Sequence, residues 1–123
     1  DHFTRAVIEG ISMALYNIAE NMERSGLEID QVNVSGGFIH STEWLEILAH
    51  IFGKKICMIN SSDASALGAA YLGLKTLGMV RDYSVLRQEG TREILPDLMV
   101  FRQYQKQYKL FQDLYQSLAP LMK

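Results

Sequence analysis

This chain is poor in the residues that staple, break or anchor a protein: 123 residues hold one cysteine, two prolines and one tryptophan. A single thiol excludes an internal disulfide framework, and Cys57, set in the apolar run Ile56-Cys57-Met58-Ile59, reads as a buried thiol. No Cys/His cluster has zinc-ligand spacing. The longest apolar run is far too short for a bilayer span, and no signal-peptide pattern opens the chain. A formal charge of −2 leaves no electrostatic footprint for nucleic acid or an anionic membrane. What is present is ordinary for a packed domain: 48% hydrophobic and 21% charged residues, with no long repeat or low-complexity tract. The length fits one compact unit, expected in the cytoplasm.

Periodicity makes that unit α/β and helix-rich. Val7, Ile11, Ala14, Leu15, Ile18 and Met22 form one apolar stripe of a first helix, with Gly26 as its stop. Residues 30–35 alternate as a strand with Val32 and Val34 inward. Trp44, Leu45, Leu48, Ile51 and Phe52 recur at helical spacing, with Ser41 or Thr42 as the cap. Gly53 releases the chain into a second strand over 54–59, whose unbroken apolar run suits a strand covered on both faces. Strand, helix, strand at this spacing predicts a right-handed parallel crossover, hence a short parallel strand pair. Asp63 can cap a further helix running to residue 77, ended by Gly78. Its Ala64, Ser65, Ala66, Gly68, Ala69 and Ala70 would let it approach the sheet closely. Residues 79–95 show no clear period and are expected to be irregular, with at most one short helical turn. Pro96 suits the first turn of a last helix over about 97–119, whose Phe101, Tyr104, Tyr108, Phe111, Tyr115 and Leu118 are spaced three and four apart.

The stretch 32–73 carries the chemistry. Gly36-Gly37 ends the first strand and leads at once into a helix N-terminus, so a bared backbone meets a site that favours anions. A nucleotide can lie against such a turn, although the same residues also make a plain strand-to-helix connection. Ser41 can cap the helix, touch a ligand, or do both. Asp63 reads as a helix cap before it reads as a catalytic acid. Glu9 reads as a carboxylate that holds a neighbouring loop by hydrogen bonds. His50, near a helix C-terminus, is electrostatically comfortable there. His40 sits in the Gly-Gly loop, where it is solvated or touches a ligand.

Four segments in order, over roughly two thirds of the chain, resemble the FGGY family of carbohydrate kinases. They are Arg5-Ala6-Val7-Ile8-Glu9-Gly10-Ile11; Val34-Ser35-Gly36-Gly37 with Ser41 and Trp44; Gly53-Lys54-Lys55-Ile56; and Asp63 with Ala66-Leu67-Gly68-Ala69-Ala70. Two positions depart from the family pattern: Asp63 stands for Glu, and Ala49-His50 for Ala-Asp. The resemblance implies a partial ribonuclease H-like (actin-like ATPase) domain. By it, residues 1–123 are the C-terminal part of the second, nucleotide-side domain of a longer kinase, and Asp1-His2-Phe3 opens within a helix as an internal cut would. It implies ATP and Mg²⁺ as cofactors, with the metal ligands, the catalytic Asp and the sugar site outside this chain. Gly37 and Ser41, with Gly36, Phe38 and His40 beside them, would lie against the adenosine and nearby phosphates.

The whole enzyme would phosphorylate a sugar or sugar acid, with this segment inactive alone. Gly-Gly-Phe, the Leu15-Tyr16-Asn17 stretch and the aromatic tail resemble the gluconate kinase branch; xylulose, ribulose and glycerol kinases stay open. No nucleic acid or membrane partner is implied, and a homodimer is left open. Two other classes remain: a non-enzymatic actin-like nucleotide-binding regulator, and a helical interaction module docking through the 101–118 stripe.

Overall fold

The computed structural model describes residues 1–59, 64–82 and 92–122. In order these form α1 (His2–Arg24), β1 (Gln31–Val34), a 3-10 turn (Gly37–His40), α2 (Thr42–Phe52), β2 (Lys55–Met58), α3 (Ala64–Thr76), β3 (Arg92–Ile94), α4 (Leu98–Leu118) and a closing 3-10 turn (Ala119–Leu121).

The core is built around α2. Its apolar residues are not confined to one stripe, which is the signature of a helix surrounded by protein. Leu45, Ile47, Leu48, Ala49, Ile51 and Phe52 are all buried, packed with Val34 and Ile56 of the sheet, Met13 and Ala19 of α1, and Tyr104 and Tyr108 of α4. Gly53 closes α2 in the left-handed region, at φ +62°. A Cβ there would stand 2.7 Å from the Phe101 ring, so two helices meet where the side chain is missing.

The expected parallel pair is present, with Val32 opposite Ile56. The sheet is nevertheless mixed, because β3 adds an antiparallel third strand that sets Ile94 against Ile56. This corrects the expectation of irregular chain up to residue 95. Arg92-Glu93-Ile94 has too few apolar residues to show a period. The strand is held by the Ile94 contact and by Lys55 Nζ donating to Glu93 Oε1 at 2.8 Å. That ammonium also draws the Glu93 carboxyl below its ordinary range through the same hydrogen bond. Residues 83–91 and Asp63 lie outside the described residues, so the Asp63 cap is not placed.

Three packing expectations need correction. The α1 stripe faces outward: Val7, Ile11, Leu15, Ile18 and Met22 are 44–58% exposed. The helix instead buries Ser12, Met13 and Ala19, flanked by half-buried Ile8 and Tyr16. In α3, Ser65, Ala66, Gly68, Ala69 and Ala70 are exposed, and nothing lies within 4 Å of a Cβ built on Gly68. The close approach to the sheet is therefore absent among the described residues. Among the described residues, the sheet face away from α2 carries Lys55, Cys57 and Glu93, a charged surface with no second apolar layer. Cys57 itself is buried, as expected, with its thiol donating weakly to Glu93 at 3.8 Å.

The last helix joins the core through its tyrosines. Tyr104 and Tyr108 are 5% and 4% exposed, whereas Tyr115 at the far end of the same stripe is 62% exposed. Asp97 is the cap, accepting from the backbone N–H of Met99 at 2.7 Å and of Val100 at 3.3 Å. Pro96 thus precedes the cap and does not occupy the first turn.

Candidate functional site

The Gly-Gly turn sits at the C-terminal end of β1, where a parallel strand hands over to a helix. The two glycines do different work. Gly36 has φ +100° and ψ −174°, a backbone state essentially reserved for glycine. Gly37 has no such conformation, and a Cβ built on it meets nothing within 4 Å. Neither backbone nor packing calls for glycine at 37, and the space in front of it is open. A ligand lying against the main chain would use that space.

The structure brings the five sequence candidates together. Phe38 and His40 belong to the turn, which is closed by Ile39 N–H to Gly36 O at 3.2 Å and Ser41 N–H to Phe38 O at 3.0 Å. Gly36, Gly37 and His40 are exposed; Phe38 and Ser41 are half-buried. Ser41 is the cap of α2, its Oγ accepting from Trp44 N–H at 3.3 Å. The backbone N–H groups of Thr42 and Glu43, ahead of Trp44, have no intrahelical acceptor by geometry and face the same end.

Two charged residues at this end escaped the sequence reading as site residues. Glu43 accepts from Ser41 Oγ at 3.2 Å and so sets a carboxylate at the mouth of the turn. Arg92 of β3 donates to Thr42 Oγ1 at 3.4 Å. Arg92 was out of reach, because it arrives on the strand that has no sequence period. Among the described residues no group of three His, Cys, Asp or Glu side chains could hold a metal ion.

Glu9 lies elsewhere, between helices. It accepts from Arg5 Nε at 2.9 Å and from the Tyr104 hydroxyl at 2.7 Å, tying α1 to α4. One helical span later, the Tyr108 hydroxyl lies 2.9 Å from Asn17 Oδ1 and 3.0 Å from Glu20 Oε2. Burial, and then the hydrogen bond to Glu20, push the Tyr108 hydroxyl up to about 12. Glu9 is thus structural, as expected, though it holds a helix and not a loop. A groove of about 630 Å³ between α1 and α4, lined by Ala14, Asn17, Phe111 and Tyr115 among others, is separate from the Gly-Gly turn.

With this geometry in hand, comparison with known proteins is specific. Residues 1–77 match the model of the FGGY family of carbohydrate kinases, C-terminal domain, and the chain belongs to that family. An L-xylulose/3-keto-L-gulonate kinase of Escherichia coli is 26% identical over 120 residues, covering 95% of this chain and 24% of the relative. A gluconokinase of Bacillus licheniformis is 28% identical over 121 residues, covering 96% and 24%. The crystal structure of a ligand-bound xylulose kinase from Lactobacillus acidophilus superposes with a TM-score of 0.81 at 28% identity, over 95% of this chain and 24% of that one. The chain therefore spans about a quarter of the length of these relatives.

Proposed function

We propose that this chain is the C-terminal part of the nucleotide-side domain of an ATP-dependent carbohydrate kinase, within a ribonuclease H-like fold. The observation that carries this reading is Gly37: a glycine with no backbone or packing need, fronted by open space, on a strand-to-helix turn. The turn fits the adenosine side of the nucleotide better than the phosphates. Glu43 puts a carboxylate beside Ser41, which disfavours a second anion there and suits the hydroxyl donors of a ribose. The main chain at Gly36 and Gly37 presents a flat surface on which adenosine can lie, and Phe38, His40 and Ser41 border it.

Phosphoryl transfer itself is positioning plus electrostatics: Mg²⁺ spreads the charge of the phosphates while a base takes the proton of the attacking hydroxyl. Both the metal ligands and that base belong to the remainder of the polypeptide. Two features support a larger whole. β1 is an edge strand among the described residues, and because Val34 O accepts from Ile59 N–H toward β2, the Asn33 main chain faces the open edge. Beside it, Leu15, Ile18 and Met22 of the exposed α1 stripe line an apolar groove of about 600 Å³ with Val32, Phe38 and Leu48. Further strands of the same kinase would cover both.

Gluconate is the first candidate for the sugar, from Gly-Gly-Phe, Leu15-Tyr16-Asn17 and the aromatic tail. The ketose kinases among the relatives make xylulose an equal competitor. The test is ADP release by the complete kinase polypeptide with MgATP across gluconate, xylulose, ribulose and glycerol. Turnover on one of them supports the reading and names the sugar. A folded enzyme that binds ATP and turns over none would favour the regulator reading.

A further inference from the structure

The Gly37–His40 turn has no buried residue, and the bonds that close it, Ile39 N–H to Gly36 O and Ser41 N–H to Phe38 O, are local, so something outside it must set its pitch. Two aromatic rings do this. Phe38 stands half-buried between the apolar groove, on the side of Leu15, Ile18 and Leu48, and the indole of Trp44, with ring centroids 5.4 Å apart and tilted by 46°. Trp44 is also the residue whose backbone N–H binds the Ser41 cap. One residue therefore pins both the turn and the start of α2. Its Nε1 is buried without an acceptor among the described residues, an uncommon state for an indole N–H. An indole so placed is sensitive to any movement of the turn.

We infer that Phe38 and Trp44 are positioning residues for the nucleotide turn: their ring contact fixes the turn against the core, and the surroundings of Trp44 change when the turn takes a nucleotide. This rests on the nucleotide reading above and adds the pair that shapes the site. Trp44 is the chain's single tryptophan, so its emission reports this spot alone.

The test uses the 123-residue chain in three forms: wild type, Phe38→Leu, which keeps apolar bulk without the ring, and Phe38→Tyr, which keeps the ring. Without ligand, amide exchange at Ile39 and Ser41, whose N–H groups close the turn, should rise about tenfold or more in Phe38→Leu. It should stay unchanged at Leu48, Ile51 and Ile56 in the core, and Phe38→Tyr should match the wild type. On MgATP titration the wild-type emission should shift with saturation, and Phe38→Leu should need at least threefold more ATP. Exchange in Phe38→Leu that equals the wild type at Ile39 and Ser41, or that rises equally through the core, overturns the positioning role. A wild type whose emission and Gly37 amide both ignore ATP refutes the nucleotide reading and the reporter role together. The exchange comparison then still decides the positioning role by itself.

Discussion

Replacing Gly36 and Gly37 by alanine, one at a time, should separate a glycine needed by the fold from one needed by the ligand. At Gly36 the backbone lies at φ +100°, ψ −174°, and nothing stands within 4 Å of the new Cβ. The cost of Gly36→Ala is therefore backbone strain alone, about 1–3 kcal/mol. For a domain of this size that lowers the thermal midpoint by roughly 5–15 °C. Gly37→Ala meets neither strain nor a neighbour, and the loss of unfolded-state freedom makes it neutral or stabilising by up to about 1 kcal/mol. Its new methyl group, however, occupies the space proposed for adenosine. The assay is paired: thermal unfolding by circular dichroism, and ATP affinity from amide shifts of the turn. Gly37→Ala should unfold at or above the wild-type midpoint and lose ATP binding by tenfold or more. A Gly37→Ala variant that binds ATP like the wild type would refute the reasoning, as would a Gly36→Ala variant of unchanged stability.

Other consequences follow from the packing of α4. Gly53→Ala adds left-handed strain of about 1–2 kcal/mol and a clash with the Phe101 ring of about 1–3 kcal/mol, so its urea midpoint should fall clearly while the slope is kept. Tyr108→Phe removes the hydroxyl shared by Asn17 and Glu20 and should cost about 1–2 kcal/mol at neutral pH in the same assay. Since the folded state raises the Tyr108 hydroxyl from 10.0 to about 12, its contribution is complete below pH 10 and lost as pH rises through 12. Stability measured over that window should fall less steeply in Tyr108→Phe than in the wild type. Removing residues 98–122 exposes the partners of two buried tyrosines and should abolish cooperative unfolding. A remainder that stays folded would revive the docking-helix alternative.

The elements with strong local signals were legible in the sequence: α2 from its dense apolar run, β1 and β2 from their flanking glycines, and the cap of α2 as Ser41 or Thr42, of which the fold uses Ser41. What was not legible depends on partners distant in the chain. β3 has one apolar residue in three and exists because Ile56 and Lys55 receive it. In α1 the stronger stripe, Val7 to Met22, is the exposed one. The buried face reads Ile8, Ser12, Tyr16 and Ala19, a weaker pattern by hydrophobicity that wins by contact with α2 and α4. Small residues in α3 signalled close packing, but no surface among the described residues meets them. At the site, Gly36 and Gly37 look alike in sequence, and only their dihedral angles and surroundings tell them apart.

The most direct test of the nucleotide assignment is a titration of the isotope-labelled 123-residue chain with MgATP to several millimolar, following every backbone amide. With one wall of the cleft present, affinity should be about millimolar, equivalent to roughly 4 kcal/mol. Saturable shifts concentrated at Gly36, Gly37 and Ser41, with the α1–α4 groove around Asn17 and Tyr115 unmoved, are the predicted result. Shifts absent from the turn, or centred on that groove, would contradict it.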